Sequence, residues 1–256
     1  MKIRTIKTRV FLPPKDDLFS LIKESFSRIK LKEKSIIVVT SKIVSIWQGR
    51  CIEPETVKDK DELIKKEAEL YLDRDKVPGG YALFTIKNGL IVPTAGIDES
   101  NANGYFILWP EKPFSAAKKI YNFIKRNYRL NDFGIIITDS HSGPSRLGIT
   151  GIAIAYYGFY PLKDYRGCLD IFGREMKISQ VNIPDSLAAA AVFSMGECDE
   201  QTPIAIIEDI DAIQFKRSSP EKDDPLIVPM EEDIYAPFLK SVRWKKGGKY
   251  KKKNEN

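Results

Sequence analysis

Apolar and polar positions divide the chain into short strand-like runs and a few helical stretches. Residues 2–12 read as a strand, with Ile6, Val10 and Leu12 on one face. Asp16 and Asp17 precede Leu18, Leu21, Ile22 and Phe26, a spacing that predicts an amphipathic helix with acidic residues at its N-terminal end. Residues 35–39 read as a buried strand running into Thr40, Ser41 and Lys42. The stretch 59–72 reads as a helix, and Pro78-Gly79-Gly80 breaks the chain. Residues 81–86 and 90–93 flank Lys87-Asn88-Gly89, a hairpin signal because Asn-Gly tolerates positive φ.

Beyond this, residues 106–109 read as a strand. Residues 113–128 predict a helix with Ala116, Ala117, Ile120, Phe123 and Ile124 on its apolar side. A buried strand over 133–138 ends at Asp139. The apolar run 152–160 fits strand or helix by periodicity alone. Residues 170–178 predict a hairpin around Gly173. Asp185 is placed as N-cap of a helix over 186–195, with Gly196 as terminator. Residues 203–208 read as a late strand, and 218–224 as a polar linker. Strands and helices mix without strict alternation, so the pattern favours an α+β fold over a doubly wound sheet.

Composition changes this picture little. Hydrophobic residues make up 43% of 256, ample for a core, and no apolar run approaches the roughly 20 residues of a membrane span. The opening residues interleave charged and apolar positions, unlike a signal peptide. Cys51, Cys168 and Cys198 lie far apart with no CxxC pair, which suits a reducing cytoplasm. The net charge of +6 lies wholly in residues 243–256, with seven basic residues against one acidic; the remainder balances 34 of each. That stretch reads as a disordered basic tail, removable without loss of the fold. The neutral body argues against nucleic acid as a partner.

The chemistry gathers at three places. Apolar runs end at Thr94-Ala95-Gly96-Ile97-Asp98 and at Ile137-Thr138-Asp139-Ser140, and an Ala-rich helix ends at Met195-Gly196-Glu197. Asp98, Asp139, Ser140 and Glu197 form an all-oxygen ligand set, the type preferred by magnesium or manganese bridging to phosphates. Asp and Asn also bond their own backbone in ordinary turns, and each loop alone fits that reading. His141 is the single histidine, which argues against a His-rich zinc site, and no nucleophile elbow accompanies it. Neither GxxxxGK[ST] nor a strand-borne GxGxxG is present, so phosphate binding falls to groups such as Ser41-Lys42, Arg146, Gly148 and backbone amides. Arg166 and Arg174 sit near turns, suited either to an acidic substrate or to pairing with Asp164 and Asp170.

In order, these segments resemble the coenzyme F420-0:L-glutamate ligase family, including its folate-type γ-glutamate ligase relatives. The matching pieces are Asp16-Asp17-Leu18, residues 38–44 with Ser45 and Gly49-Arg50, Ala95 to Asp98 with Ser100-Asn101, and Ile137 to Ser140 with Pro144, Arg146, Gly148 and Thr150. Tyr165-Arg166-Gly167 with Asp170, residues 185–191, and Met195-Gly196-Glu197 complete them. The resemblance implies a mixed-sheet fold of two subdomains forming an intertwined homodimer. The resemblance runs from about Lys7 to Asp209, and with the charge pattern the chain divides into a catalytic domain over 1–217, a C-terminal extension over 218–242 and the tail over 243–256. It implies a ligase that uses GTP or another nucleoside triphosphate, two Mg2+ or Mn2+ ions and a monovalent cation to join L-glutamate to an acidic acceptor, F420-0-like or folate-like, through an acyl phosphate. By position, Asp98, Asp139, Ser140 and Glu197 are metal ligands. Ser41, Lys42, Asn101, Met195 and Gly196 are nucleotide contacts, and Lys42 and Arg146 stabilise phosphoryl charge. The family carries a lysine where this chain has Ile46, which implies weaker phosphate binding. The rival is a noncatalytic nucleotide- or metal-binding regulator on the same fold.

Overall fold

Apolar runs too continuous for one-sided burial become the inner strands of a sheet covered on both faces. The computed structural model describes residues 1–211, 213–216 and 224–250. In chain order the strands are β1 (Lys2–Ile6), β2 (Ile36–Thr40), β3 (Cys51–Ile52), β4 (Leu70–Leu72), β5 (Phe84–Lys87), β6 (Leu90–Pro93), β7 (Phe106–Ile107), β8 (Gly134–Ser142), β9 (Ile149–Tyr157), β10 (Leu162–Asp164), β11 (Gln180–Asn182), β12 (Ile204–Glu208) and β13 (Lys245–Lys246). The α-helices are α1 (Leu18–Phe26), α2 (Ser41–Trp47), α3 (Lys60–Glu67), α4 (Pro113–Tyr128), α5 (Ile183–Met195) and α6 (Ala236–Leu239).

The main sheet is mixed, ordered β1-β12-β2-β8-β9. Its β2–β8 pair is parallel and its other neighbours are antiparallel. Strand alternation sorts β2 between two cores. Ile37 and Val39 join α1, α2 and α4, whereas Ile36 and Val38 join α5. The Ala-rich α5 approaches closely because Gly151 lies beneath it; a Cβ there would sit 2.4 Å from the Ala188 carbonyl oxygen. This mixed sheet with helices fits the α+β expectation. A smaller sheet, β13-β4-β5-β6, and the β3–β7 pair surround a third core of Ile64, Ala68, Leu83, Ala95, Ile97, Phe106 and Leu108. Asn88 and Gly89, at φ 51° and 73°, make the two-residue turn between β5 and β6.

Several elements differ from the sequence reading. The strand over 2–12 stops at Ile6; Val10 and Leu12 are exposed and Phe11 is buried, because the chain leaves the sheet there. The 59–72 helix ends at Glu67, where Ala68 turns extended and Glu69 bonds Ile86, so Leu70–Leu72 is a strand. Residues 41–47 are helical. The run 152–160 is strand through Tyr157, as part of β9, and Gly158 at φ 99° ends it. The hairpin expected around Gly173 is present in short form: residues 170–174 turn within an isolated antiparallel Leu169–Glu175 bridge, and the regular pair β10–β11 lies outside it. The cap of α5 is Asn182 rather than Asp185: Asn182 accepts the Asp185 N–H, and Asp185 accepts from the Asn182 amide at 2.6 Å. Pro184 in the first turn starts the helix earlier.

The basic tail is also corrected through Tyr250. Lys245 and Lys246 pair with Tyr71 and Leu70, Trp244 stacks on Phe84, and the amides of Gly247, Gly248 and Lys249 bond carbonyls of residues 65–69. Backbone pairing has no charge signature, so composition does not reveal it. Residues 251–256 and the linker positions 218–223 lie outside the described residues. Among the described residues, no helix is long and apolar enough to cross a membrane, and all three cysteines are free.

Candidate active site

A cleft of about 660 Å³ opens where the parallel pairing of β2 with β8 ends, at Thr40 and Thr138. Ser41, Lys42, Asp98, Asn101, Asp139, Ser140, Met195, Gly196 and Glu197 line it together. Arg146 is not among them: β8 and β9 continue as a hairpin that carries the exposed 143–148 loop away from the lining.

Asp98 is aimed by an unusual backbone. Thr94, Ala95 and Gly96 all have positive φ, at 54°, 52° and 69°. For a β-branched threonine this conformation is strained. It is held by bonds from Thr94 N to the Leu83 carbonyl and from Ala95 N to Thr85 Oγ1. Asp98 Oδ2 then meets the Lys42 ammonium at 2.7 Å, and Lys42 also donates to the Ser100 carbonyl at 2.7 Å. Burial pushes the Asp98 carboxyl up, but Lys42 and the Ser100 donors outweigh it and hold the group below the ordinary carboxylate range.

Asp139 lies within β8 rather than beyond it, just past a bulge between Ile137 and Thr138 that shifts the register against β9. Bulges re-aim the following side chains. Its Oδ1 accepts the Ser140 N–H at 2.9 Å, and its Oδ2 accepts the Trp109 indole N–H. Desolvation pushes the carboxyl up to about 6; these two donors oppose the shift, and the Asp98 charge adds to it. Lys42 is the neighbouring cation.

The third segment follows α5. Gly196, at φ 81°, ends the helix, and a Cβ there would lie 2.2 Å from the Glu200 carboxyl carbon. Glu197 Oε1 accepts from Ser140 Oγ at 2.5 Å. Asn101 donates its side-chain amide to the Cys198 carbonyl at 2.7 Å, tying the Asp98 loop to the Glu197 loop. The four oxygen-bearing side chains thus fall into two groups, Asp98 near Asp139 and Glu197 bonded to Ser140. Among the described residues no three His, Cys, Asp or Glu side chains converge as a ready-made metal cage. Even so, every donor is oxygen, and the Lys42 ammonium already occupies a cation's position on Asp98. That chemistry fits hard divalent ions.

His141 also lines the cleft; burial lowers its pKa, against the nearby Asp185 charge. Arg166 forms a bidentate pair with Asp164, so the internal-pairing alternative is the one realised there. Sequence reasoning missed Trp109, whose contact spans 30 positions, and Arg9, which lines the mouth and pairs with Asp16 at 2.6 Å. No local pattern signals either contact.

Residues 5–209 match the family model described as F420-0:Gamma-glutamyl ligase. The chain belongs to that family. F420-0:gamma-glutamyl ligases are amide-forming enzymes, so the ligase class read from the sequence stands. The chain is 31% identical to the coenzyme F420:L-glutamate ligase of Methanopyrus kandleri over 92% of its own length and 97% of that protein. It is 32% identical to the enzyme of the same name from Methanocaldococcus jannaschii, covering 84% and 89%. A third, from Methanosarcina acetivorans, is 32% identical over 77% and 81%.

Proposed function

We propose that this F420-0:gamma-glutamyl ligase uses GTP or another nucleoside triphosphate, with divalent ions, to join L-glutamate to an F420-0-type carboxylate. The charge balance of the cleft carries this reading. Asp98, Asp139, Glu197, Asp199 and Glu200 line it against Lys42 and Arg9, and Arg9 is already engaged by Asp16 and Glu24. A triphosphate and an acidic acceptor are both anionic, so their approach to such a surface requires bound cations.

Asp98, Asp139, Ser140 and Glu197 would hold Mg2+ or Mn2+, which would neutralise phosphate charge and orient an in-line transfer. Ser41, Asn101, Met195 and Gly196 would border the nucleotide, and Lys42 would be the lining cation that meets the reacting phosphate. An acceptor carboxylate oxygen attacks the γ-phosphorus, and the bond to the β-phosphate oxygen breaks, releasing the diphosphate. The glutamate amine then attacks the acyl carbon, losing a proton, and phosphate leaves as the amide forms. Lys42 donates hydrogen bonds to the charge that builds on the transferring group.

Oligomerisation belongs to the same proposal. The 165–178 segment extends from β10–β11 with Leu169, Ile171, Phe172 and Ile178 exposed, 92% for Ile171. An apolar arm of this kind fits a homodimer.

The test is phosphate release and product mass with L-glutamate, Mg2+ or Mn2+, GTP or ATP, and F420-0 or folate as acceptor. The expected outcome is glutamate-dependent phosphate release with F420-0 and a product heavier by one glutamyl group. Nucleotide binding without turnover in any combination would overturn the reading.

A further inference from the structure

Trp109 is 2% exposed and does not line the cleft, yet its indole N–H reaches Asp139 from behind. With the Ser140 N–H on Oδ1, it gives each oxygen of that carboxylate one fixed donor. The indole is itself locked. Gly96 lies against it, and a Cβ at that position would fall 2.1 Å from Nε1. The Lys87 ammonium sits 5.9 Å from the ring centroid, and Arg50 Nε donates to the Trp109 carbonyl at 3.3 Å. Lys87 and Arg50 both bond Glu67 Oε2, at 2.9 and 2.7 Å. Glu67 and Lys87 are 4% and 5% exposed. None of the three lines the cleft. A buried ion cluster of this kind is weak evidence of stabilisation, since apolar residues of like volume commonly serve as well. Here it fixes one ring whose polar edge points at one carboxylate.

We propose that Trp109 is a positioning residue: its indole N–H, held by Gly96 and the Arg50–Glu67–Lys87 cluster, orients the Asp139 carboxylate and thereby sets the affinity of the site for a divalent ion. This rests on Asp139 being a ligand, as proposed above. Outer partners of metal ligands typically contribute about 10–100-fold in affinity. The cluster also ties Trp109 to α3 through Glu67 and, through Lys87, to β5 of the small sheet.

The experiment measures free Mn2+ by electron paramagnetic resonance with the full-length wild type, Trp109→Phe and Asp139→Asn. The expected result is Mn2+ binding weakened about 10–100-fold in Trp109→Phe, with kcat near wild type at saturating metal, and weaker still in Asp139→Asn. Loss of affinity in Asp139→Asn with wild-type affinity in Trp109→Phe overturns the positioning role and leaves the ligand reading intact. No change in either variant overturns both. Should Trp109→Phe fail to fold, the wild type provides the readout. Its three tryptophans give three indole N–H resonances, assigned with Trp47→Phe and Trp244→Phe. Saturating Mg2+ should move the Trp109 resonance and leave the other two; a stationary Trp109 signal overturns the proposal.

Discussion

At the scale of single residues, Asp98 and Asp139 differ although they share one cleft. Lys42 keeps Asp98 ionised, whereas desolvation leaves Asp139 titrating at about 6 against an ordinary 3.8. A cation must displace that proton, so affinity for Mg2+ or Mn2+ should be full above pH 6 and fall about tenfold per unit below it. Calorimetry across pH 4.5–8 checks this. Stability without metal follows the opposite course. Between 3.8 and about 6 the folded chain retains a proton that the unfolded chain has released. Stability therefore declines as pH rises through that window, and Asp139→Asn should flatten the decline. Asp98→Asn and Asp139→Asn should each abolish metal-dependent nucleotide binding with the fold intact; unchanged metal affinity in both would remove them as ligands. Ile46 is 1% exposed within the core while bordering the cleft. Ile46→Lys should lower thermal stability by about 1–3 kcal/mol through lost burial, and lower the nucleotide KM where its amine reaches phosphate. A KM that rises instead would show that the position does not face the nucleotide.

At the scale of elements, α5 depends on close approach to β9. Gly151→Ala drives a methyl into the Ala188 carbonyl. It should cost about 1–3 kcal/mol in chemical denaturation and disturb Glu197, which follows the helix. Legibility varies among elements for physical reasons. The helix over 113–128 was readable because its 3.6-residue period is long and Pro113 fits the first turn. The Asn88-Gly89 hairpin was readable because its turn chemistry is local. Residues 41–47 were not, being short, apolar and uncapped by any side chain. Leu70–Leu72 was absorbed into a helix because three residues show too little alternation to oppose the pattern before them. In the site, carboxylates at apolar run ends were visible in sequence. The bulge that aims Asp139 and the positive φ values before Asp98 were not, since neither has a residue-type signature here: Thr94 and Ala95 stand where glycine would be expected.

At the scale of the whole molecule, residues 224–250 bind distant parts together. Asp224 accepts the Tyr156 hydroxyl of the main sheet at 2.7 Å, and Trp244 with β13 closes the small sheet. Truncation after Val242, harmless if charge alone is considered, should lower the thermal midpoint and speed hydrogen exchange in β4 and β5. Wild-type protection in those strands would show that β13 contributes nothing. Pairing across such separations is invisible to composition, which registers seven basic residues and no ladder.

The pairing of β13 with β4 bears on how this protein is made. Lys245 and its partner Asp73 are 172 positions apart. At synthesis rates of roughly 5–20 residues per second, the outer edge of β4 waits about 9–35 seconds for its neighbour to be translated. Through that interval a nascent chain presents an open strand edge, the feature most prone to pairing with another chain. Slow translation or crowded polysomes should therefore penalise the yield of this ligase more than its equilibrium stability would suggest.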